Sequence, residues 1–160
     1  MPMPQRAYVT NRTDEVFAAA HTLADQLGHE DTTPLHLTLG MLLEEGNMAA
    51  QIILYSCRVP RATLQQELTA RLPASGTPRP PRTAPMWSAG DEQMLAMAAA
   101  EARELGDEHL GCEHLLLAFL RDSATGPGEV LAGHGVRIER VQRDVRCIHD
   151  GTMVWAGPAT

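Results

Sequence analysis

Three side chains that bind metals in proteins, His109, Cys112 and His114, fall within six residues of one another, and His149 follows near the end of the chain. Zinc takes histidine nitrogens and cysteine thiolates as ligands, usually four of them at about 2.0–2.3 Å. We expect His109 and Cys112 in a turn and His114 on a helix where packing occupies it. The favoured interpretation therefore has no metal site and no cofactor. The alternative is a small helical metal-binding enzyme that uses His109, Cys112 and His114.

Other catalytic chemistry finds little support in the sequence. All 13 basic residues are arginine, which excludes the P-loop of nucleotide hydrolases and every lysine nucleophile or Schiff base. The G-x-S-x-G elbow of serine hydrolases does not occur. Cys57 and Cys147 lie in apolar helical segments, where a thiol is typically unreactive. We therefore predict that the protein is not an enzyme.

Charge and composition narrow the class of partner. The 160 residues include 20 acidic side chains, so the net charge is −7, and an acidic chain is a poor ligand for the phosphates of nucleic acid. No apolar run approaches the ~20 residues that span a membrane, and the first residues lack the apolar stretch of a signal peptide. The three cysteines do not make a disulfide framework. These features predict a cytoplasmic protein that binds neither nucleic acid nor membrane.

The elements that must position these residues are arranged as a duplication. Five prolines between 73 and 85 predict an extended linker over 73–86. The segments on either side, 9–72 and 87–150, align at an offset of 78 residues. The remaining residues, 1–8 and 151–160, are predicted to be tails. Ten positions are identical when 13–42 is compared with 91–120, namely Ala18/Ala96, Ala20/Ala98, Ala24/Ala102, Leu27/Leu105, Gly28/Gly106, Glu30/Glu108, His36/His114, Leu37/Leu115, Leu39/Leu117 and Leu42/Leu120.

Each copy predicts four helices and no strand. Apolar residues recur at helical spacing on the first helix of both copies, which favours one buried face. Ser88 and Asp91 resemble a capping box, Thr33 precedes a proline at a helix start, and Gly28 and Gly106 stand where helices end. The predicted later helices of the first copy cover about 34–45, 48–56 and 61–72. In the second copy the second helix is predicted to end at Asp122, and the third and fourth cover about 127–133 and 137–148. The predicted fold is all-α, with two four-helix repeats packed as one pseudo-twofold eight-helix domain.

One segment carries a resemblance to a known family. Residues 102–120, ARELGDEHLGCEHLLLAFL, resemble the EARxLGHxxxGTEHLLLGLL signature of the Clp N-terminal repeat, and residues 26–42 carry a weaker version. That repeat occurs twice in the N-terminal domain of bacterial Clp ATPases, with four helices in each copy. The resemblance covers about 9–150 and is closest to the ClpC-type actinobacterial branch. No ATPase module follows in this sequence, so the resemblance implies a free-standing N-domain.

The resemblance implies a binding site in each repeat. In the ClpC branch, two related pockets receive phosphorylated arginine, and the glutamate of the G-T-E-H turn holds the guanidinium. Glu113 keeps that glutamate, and a carboxylate can accept two parallel hydrogen bonds from a guanidinium. The equivalent residue in the first repeat is Leu35, so we expect no such pocket there. Cys112 replaces the family threonine beside Glu113. A plain first-turn glutamate that interacts with the helix dipole is the alternative role for Glu113.

Two further assignments follow from the resemblance. Actinobacterial members receive cyclic peptide antibiotics on a hydrophobic patch near the start of each repeat, which corresponds here to Val9, Thr10, Trp87 and Ser88. A hydrophobic staple against the following helix is the alternative role for Trp87. His36 and His114 occupy equivalent positions at helix starts. Together with Gly28 and Gly106 they are predicted to be structural, with each histidine ring bonded to the loop backbone.

The predicted function is a non-enzymatic protein-binding or peptide-binding module. In Clp unfoldases the N-domain is a docking surface for adaptors and clients, so the expected partners are components, adaptors or clients of the Clp machinery. Three versions remain open: a decoy that competes with Clp unfoldases for adaptors or for arginine-phosphorylated clients, an adaptor, and a protein that sequesters a cyclic peptide antibiotic. The sequence does not give the oligomeric state, and association through the fourth helices is a further alternative.

Overall fold

The described residues form eight helices, with a π-helical segment after the third. A computed structural model describes residues 8–44, 46–81, 87–122 and 124–152. Helices α1 to α4 and α5 to α8 form the two repeats. The helices are α1 (Asn11–Gln26), α2 (Pro34–Leu43), α3 (Met48–Gln51) with the π-helical segment Ile52–Ser56, α4 (Arg61–Ala70), α5 (Ala89–Leu105), α6 (Cys112–Arg121), α7 (Gly126–Gly133) and α8 (Ile138–His149).

The predicted all-α fold is confirmed. Within the described residues the only extended pairing is an isolated parallel bridge between Val9 and Leu110. The described residues also contain no helix with the length and apolar character needed to cross a membrane. The predicted tails lie mostly outside the described residues, as does the end of the predicted linker.

Local capping sets the helix boundaries. Ser88 Oγ accepts a hydrogen bond from the Asp91 backbone N–H at 3.1 Å, and Asp91 Oδ2 accepts one from the Ser88 N–H at 2.9 Å. This reciprocal pair is the predicted capping box. Gly106 ends α5 in the left-handed region with φ 75°, and Gly28 has φ 69° just after α1. A left-handed backbone is readily adopted by glycine, so both positions suit helix termination.

Several predicted boundaries differ from the structure by one or two residues, among them the end of α4, which lies at Ala70 where 72 was predicted. Helix α2 ends at Leu43, two residues before the predicted end, and Glu45 lies outside the described residues. Asn47 then caps the next helix, because its side-chain oxygen accepts a hydrogen bond from the Ala50 N–H at 2.8 Å. The predicted third helix over 48–56 is divided, since α-helical hydrogen bonding gives way to π-helical bonding at Ile52.

The packing of the two repeats follows a pseudo-twofold relation. Within each repeat the first helix packs on the second and the second on the fourth. Between the repeats, α3 packs on α6 and α7 packs on α2. The fully buried side chains come from both repeats and include Phe17, Leu37, Met41, Ile53, Leu64, Leu115, Leu117 and Phe119. A single continuous core therefore joins the repeats.

A buried hydrogen bond between side chains also ties the two repeats together. His21 Nε2 on α1 lies 2.9 Å from Asp91 Oδ2 at the start of α5, and neither side chain is more than 6% exposed. Burial raises the pKa of Asp91, but hydrogen bonds from His21 and Ser88 outweigh that effect, and the net pKa is below the ordinary value. Asp91 therefore caps α5 and binds α1 at the same time.

Candidate functional site

A groove of about 280 Å³ opens where the two repeats meet. One wall comes from the start of α1, another from the turn before α3, and the third from the turn that leads into α6. The backbone holds these walls together, because the Thr10 N–H donates to the Leu110 carbonyl at 3.1 Å and the Leu110 N–H donates to the Tyr8 carbonyl at 2.8 Å. The lining residues are Thr10, Arg12, Gly46, Asn47, Met48, Gln51, His109, Gly111, Cys112 and Glu113.

Glu113 places a buried carboxylate on the wall of this groove. Its side chain is 4% exposed, and Oε1 lies 3.7 Å from His109 Nε2 and 3.4 Å from His114 Nδ1. Within the described residues, Oε1 accepts no hydrogen bond. The carboxylate folds back over Gly111, where an added Cβ would lie 1.6 Å from Oε1. An unbonded buried carboxylate oxygen is rare in proteins and calls for an explanation.

The pKa values of two groups beside Glu113 are raised by their surroundings. The Glu113 carboxylate raises the pKa of His109 above its ordinary value. Cys112 Sγ lies 3.6 Å from Thr13 Oγ1 in the core, and burial raises the pKa of the Cys112 thiol to about 12. A thiol with this pKa stays protonated at neutral pH, whereas nucleophiles and metal ligands are thiolates.

The side chains that come close enough to share a metal ion are not the three that the sequence brings together. Two sets each bring three ligand atoms within 4.8 Å of one another among the described residues. Cys112 belongs to neither set, so His109, Cys112 and His114 do not converge as the alternative interpretation required. His149 joins the cluster because α8 ends beside the turn that precedes α6. The two sets are Asp107/His109/His114 and His109/Glu113/His149.

His114 lies at the centre of a hydrogen-bonded relay in the second repeat. Its Nδ1 accepts from the Gly111 N–H at 3.0 Å, so Nε2 carries the ring proton and donates to Asp107 Oδ2 at 2.7 Å. The other oxygen of Asp107 lies 3.3 Å from His149 Nδ1. The relay therefore ends at a carboxylate and an exposed imidazole.

His36 begins the equivalent relay in the first repeat. Its Nδ1 accepts from the Thr33 N–H at 2.9 Å, and its Nε2 donates to His29 Nδ1 at 2.8 Å. His29 Nε2 then donates to the Pro73 carbonyl at 3.1 Å. Burial and the neighbouring His29 lower the pKa of His36 to about 4. His36 is therefore neutral at pH 7, and the relay ends on the backbone of the linker.

The first repeat fills the position of the groove with apolar atoms. Leu35, which is equivalent to Glu113, lies against Gly126, where an added Cβ would meet Leu35 Cδ2 at 2.8 Å. Gly90 occupies the position of Arg12. The Arg12 guanidinium lies against Gly46 beside the groove of the second repeat. Only one of the two related positions therefore has both an arginine and a glutamate in its lining.

The residues predicted for a peptide patch have different surroundings. Val9 is 7% exposed and belongs to the core. Thr10 Oγ1 accepts from the Thr13 N–H at 3.3 Å and caps α1, just as Ser88 caps α5. Trp87 is half-buried and meets Phe17 edge-on, with ring centroids 4.5 Å apart. Trp87 thus contacts the first helix of the other repeat.

Sequence reasoning did not identify several residues of the site. Arg12 and Asn47 line the groove, and Tyr8 is 55% exposed beside Val9. Arg12 had a signal in the sequence, since it is a charged residue where the aligned repeat has glycine. The contact of Asp107 with His149 had none, because 42 residues separate them.

Comparison with known proteins gives the chain a family. Residues 8–145 match the Clp repeat (R) N-terminal domain. An uncharacterized protein of Mycobacterium tuberculosis is 33% identical over 137 residues, which cover 85% of this chain and 51% of that protein. The chaperone ClpB of Oceanobacillus iheyensis is 26% identical over 136 residues, 85% of this chain and 16% of ClpB. The chain thus spans at most about half the length of these two relatives.

The fold is shared with a solved structure as well. The N-terminal domain of the ClpV1 ATPase from the Sci1 T6SS of E. coli EAEC superposes with a TM-score of 0.67 at 19% identity, over 90% of this chain and 87% of that one. The family match covers both repeats and the groove between them. The chain belongs to the Clp repeat (R) N-terminal domain family.

Proposed function

We propose that the chain is a non-enzymatic protein-binding module whose groove at Glu113 receives a phosphorylated arginine side chain. The observation that carries this proposal is the Glu113 carboxylate, which is 4% exposed and has an oxygen without a hydrogen bond within the described residues. A guanidinium group would supply the missing donors in a planar, bidentate arrangement.

The second charge of the groove supports the phosphorylated form of the ligand. The Arg12 side chain is 63% exposed and has Glu15 as an ion-pair partner at 3.5 Å, so its guanidinium can turn toward a ligand. An unmodified arginine would be repelled by Arg12, whereas a phosphoryl group would pair with it. The combination of Glu113 and Arg12 therefore favours phosphoarginine over arginine.

The biological role that we propose is a decoy for arginine-phosphorylated clients of Clp unfoldases. A module of this kind would act by occupying the ligand, without unfolding it. The role of antibiotic-sequestering protein uses the patch of Val9, Thr10, Trp87 and Ser88, which shares Thr10 with the groove, and the adaptor role has no residues assigned to it. Val9 is buried and offers no surface to the predicted antibiotic patch, whose accessible aromatic side chains are the half-buried Trp87 and the exposed Tyr8. We therefore place the Glu113 groove first.

Titration of a fluorescent phosphoarginine peptide into the protein tests the proposal. Glu113→Gln should weaken binding roughly 10- to 100-fold, because it removes a charge-assisted hydrogen-bonded pair. Arg12→Ala should reduce the preference for the phosphorylated peptide over the same peptide with arginine. Glu92→Gln is the matched control, since it removes an exposed carboxylate from the first turn of α5. Equal binding by wild type and Glu113→Gln would contradict the proposal.

A further inference from the structure

Glu113 also meets two imidazoles on the side of the cluster where α8 ends. His109 comes from the turn before α6, Glu113 from the first turn of α6, and His149 is the last residue of α8. Each brings one ligand atom, and the three atoms lie within 4.8 Å of one another. We infer that His109, Glu113 and His149 form a binding site for a divalent transition metal, with zinc as the ion that suits two imidazoles and one carboxylate.

Hydrogen bonding selects this set over the one formed by Asp107, His109 and His114. His114 accepts the Gly111 N–H at Nδ1 and therefore donates from Nε2 to Asp107. Neither nitrogen of His114 has a lone pair left for a metal unless a buried hydrogen bond breaks. Glu113 Oε1, by contrast, has free lone pairs, because it is buried and accepts no hydrogen bond within the described residues. A metal ion would give that oxygen a partner at no such loss.

The distances allow the site to close around an ion. His109 Nε2 and Glu113 Oε1 are 3.7 Å apart, and ligand atoms around a tetrahedral zinc lie roughly 3.3 Å apart. The His109 and His149 side chains are 42% and 32% exposed, so both rings can adjust toward the fixed carboxylate. Three protein ligands beside solvent leave a fourth position open for water or for a ligand from a partner.

Asp107 provides the support that metal-binding histidines usually have. Its Oδ1 lies 3.3 Å from His149 Nδ1, and its Oδ2 is fixed by His114. A carboxylate behind a ligating imidazole orients the ring and strengthens it as a ligand. The relay of the second repeat therefore serves the metal site as its outer shell.

Occupation by zinc would have a consequence for the groove. The ion would neutralise the Glu113 carboxylate, so zinc and an arginine side chain would compete for it. This consequence rests on the proposed function, whereas the metal site itself does not. The two ideas fail separately when zinc binding is measured without peptide and peptide binding without zinc.

Titration of zinc chloride into chelator-stripped full chain, followed by calorimetry, tests the site. Wild type should bind one zinc ion per chain, and His149→Ala and Glu113→Gln should each weaken binding at least tenfold. His134→Ala is the matched control, because His134 pairs with Glu67 at 2.7 Å elsewhere on the surface, and it should leave the affinity unchanged. Circular dichroism checks that each variant is folded. His149→Ala should still bind the phosphoarginine peptide as wild type does.

Cobalt substitution separates this site from one that uses Cys112. The absorption spectrum of the cobalt protein should lack a thiolate-to-cobalt charge-transfer band, because the ligands are nitrogen and oxygen. Such a band would overturn the assignment. Zinc binding that is absent, or that His134→Ala weakens as much as His149→Ala does, would overturn it as well.

Discussion

Both repeats have a histidine at the same position, but the groups to which the two histidines donate hydrogen bonds differ. His36 donates a hydrogen bond to His29, which donates one to the Pro73 carbonyl, so the first relay ends on the backbone. His114 donates a hydrogen bond to Asp107, which also lies beside the exposed His149, so the second relay ends at side chains near solvent. The two copies of the repeat therefore differ at this position: the hydrogen bonds of the first end within the protein, and those of the second end where a ligand could reach.

The positions of Leu35 and Glu113, which the duplication relates, differ in the same way. In the first repeat Leu35 packs against Gly126 with apolar atoms, whereas in the second Glu113 and Arg12 place two opposite charges in the lining of the groove. Apolar packing stabilises a fold, while a buried carboxylate without a hydrogen bond destabilises it. On this comparison, the apolar position of the first repeat favours stability, and the second repeat carries the proposed binding site.

The largest expected effect comes from the buried pair that joins the repeats. Asp91→Ala should lower the free energy of unfolding by about 3–5 kcal/mol, because it leaves the buried His21 ring without its carboxylate. Thr13, the equivalent residue in the first repeat, is buried and bonded to Thr10 and Cys112. Thr13→Ala should cost only about 1 kcal/mol. Urea unfolding followed by circular dichroism measures both, and equal losses would remove this difference between the repeats.

Acid should weaken the first repeat through His36. Its folded-state pKa of about 4 lies below the ordinary 6.5, so the unfolded chain binds more protons between these values and stability falls as the pH falls. The loss approaches about 3 kcal/mol near pH 4. His36→Asn should be less stable at pH 7 but should lose less on acidification. Urea midpoints from pH 7 to pH 4 give the comparison. Parallel curves for the two proteins would exclude His36 as the source.

Exchange of the two groove residues should move stability in opposite directions. Glu113→Leu should raise the free energy of unfolding by about 1 kcal/mol, because an apolar side chain replaces a poorly bonded buried charge. Leu35→Glu should lower it by about 1–2 kcal/mol, because the carboxylate would enter an apolar contact with Gly126. Thermal and urea unfolding measure both. A destabilised Glu113→Leu protein would show that Glu113 supports the fold.

The smallest effect distinguishes two glycines of α7. In the described part of the chain, a Cβ added at Gly133 would meet no atom within 4 Å apart from its chain neighbours and the backbone of its own helix. Gly133→Ala should therefore stabilise the protein by about 0.5–1 kcal/mol. Gly126→Ala should not show this gain, because the new Cβ forces Leu35 to move. Equal gains from both substitutions, read from urea midpoints, would contradict the tight packing of Leu35.

The fold could be predicted from the sequence where local chemistry decides it. The capping box at Ser88 and the glycines after the first helices depend on neighbours in the chain. The duplication also shows the pattern of each helix twice in the sequence. The site was harder to predict. His149 reaches the cluster through the packing of α8, and the shift to π-helical bonding at Ile52 has no periodic signal. The sequence did indicate Glu113 and the loss of its equivalent, but not the unbonded oxygen, which depends on how the side chain folds over Gly111.

The packing of each third helix against the other repeat has a consequence for how the two copies can vary. Because α3 packs on α6 and α7 packs on α2, each repeat covers apolar surface of the other, and the two copies share one core. Since both copies lie in one chain, equivalent positions of that shared structure can carry different residues, as Leu35 and Glu113 do. A symmetric dimer of one gene product would not allow such a difference.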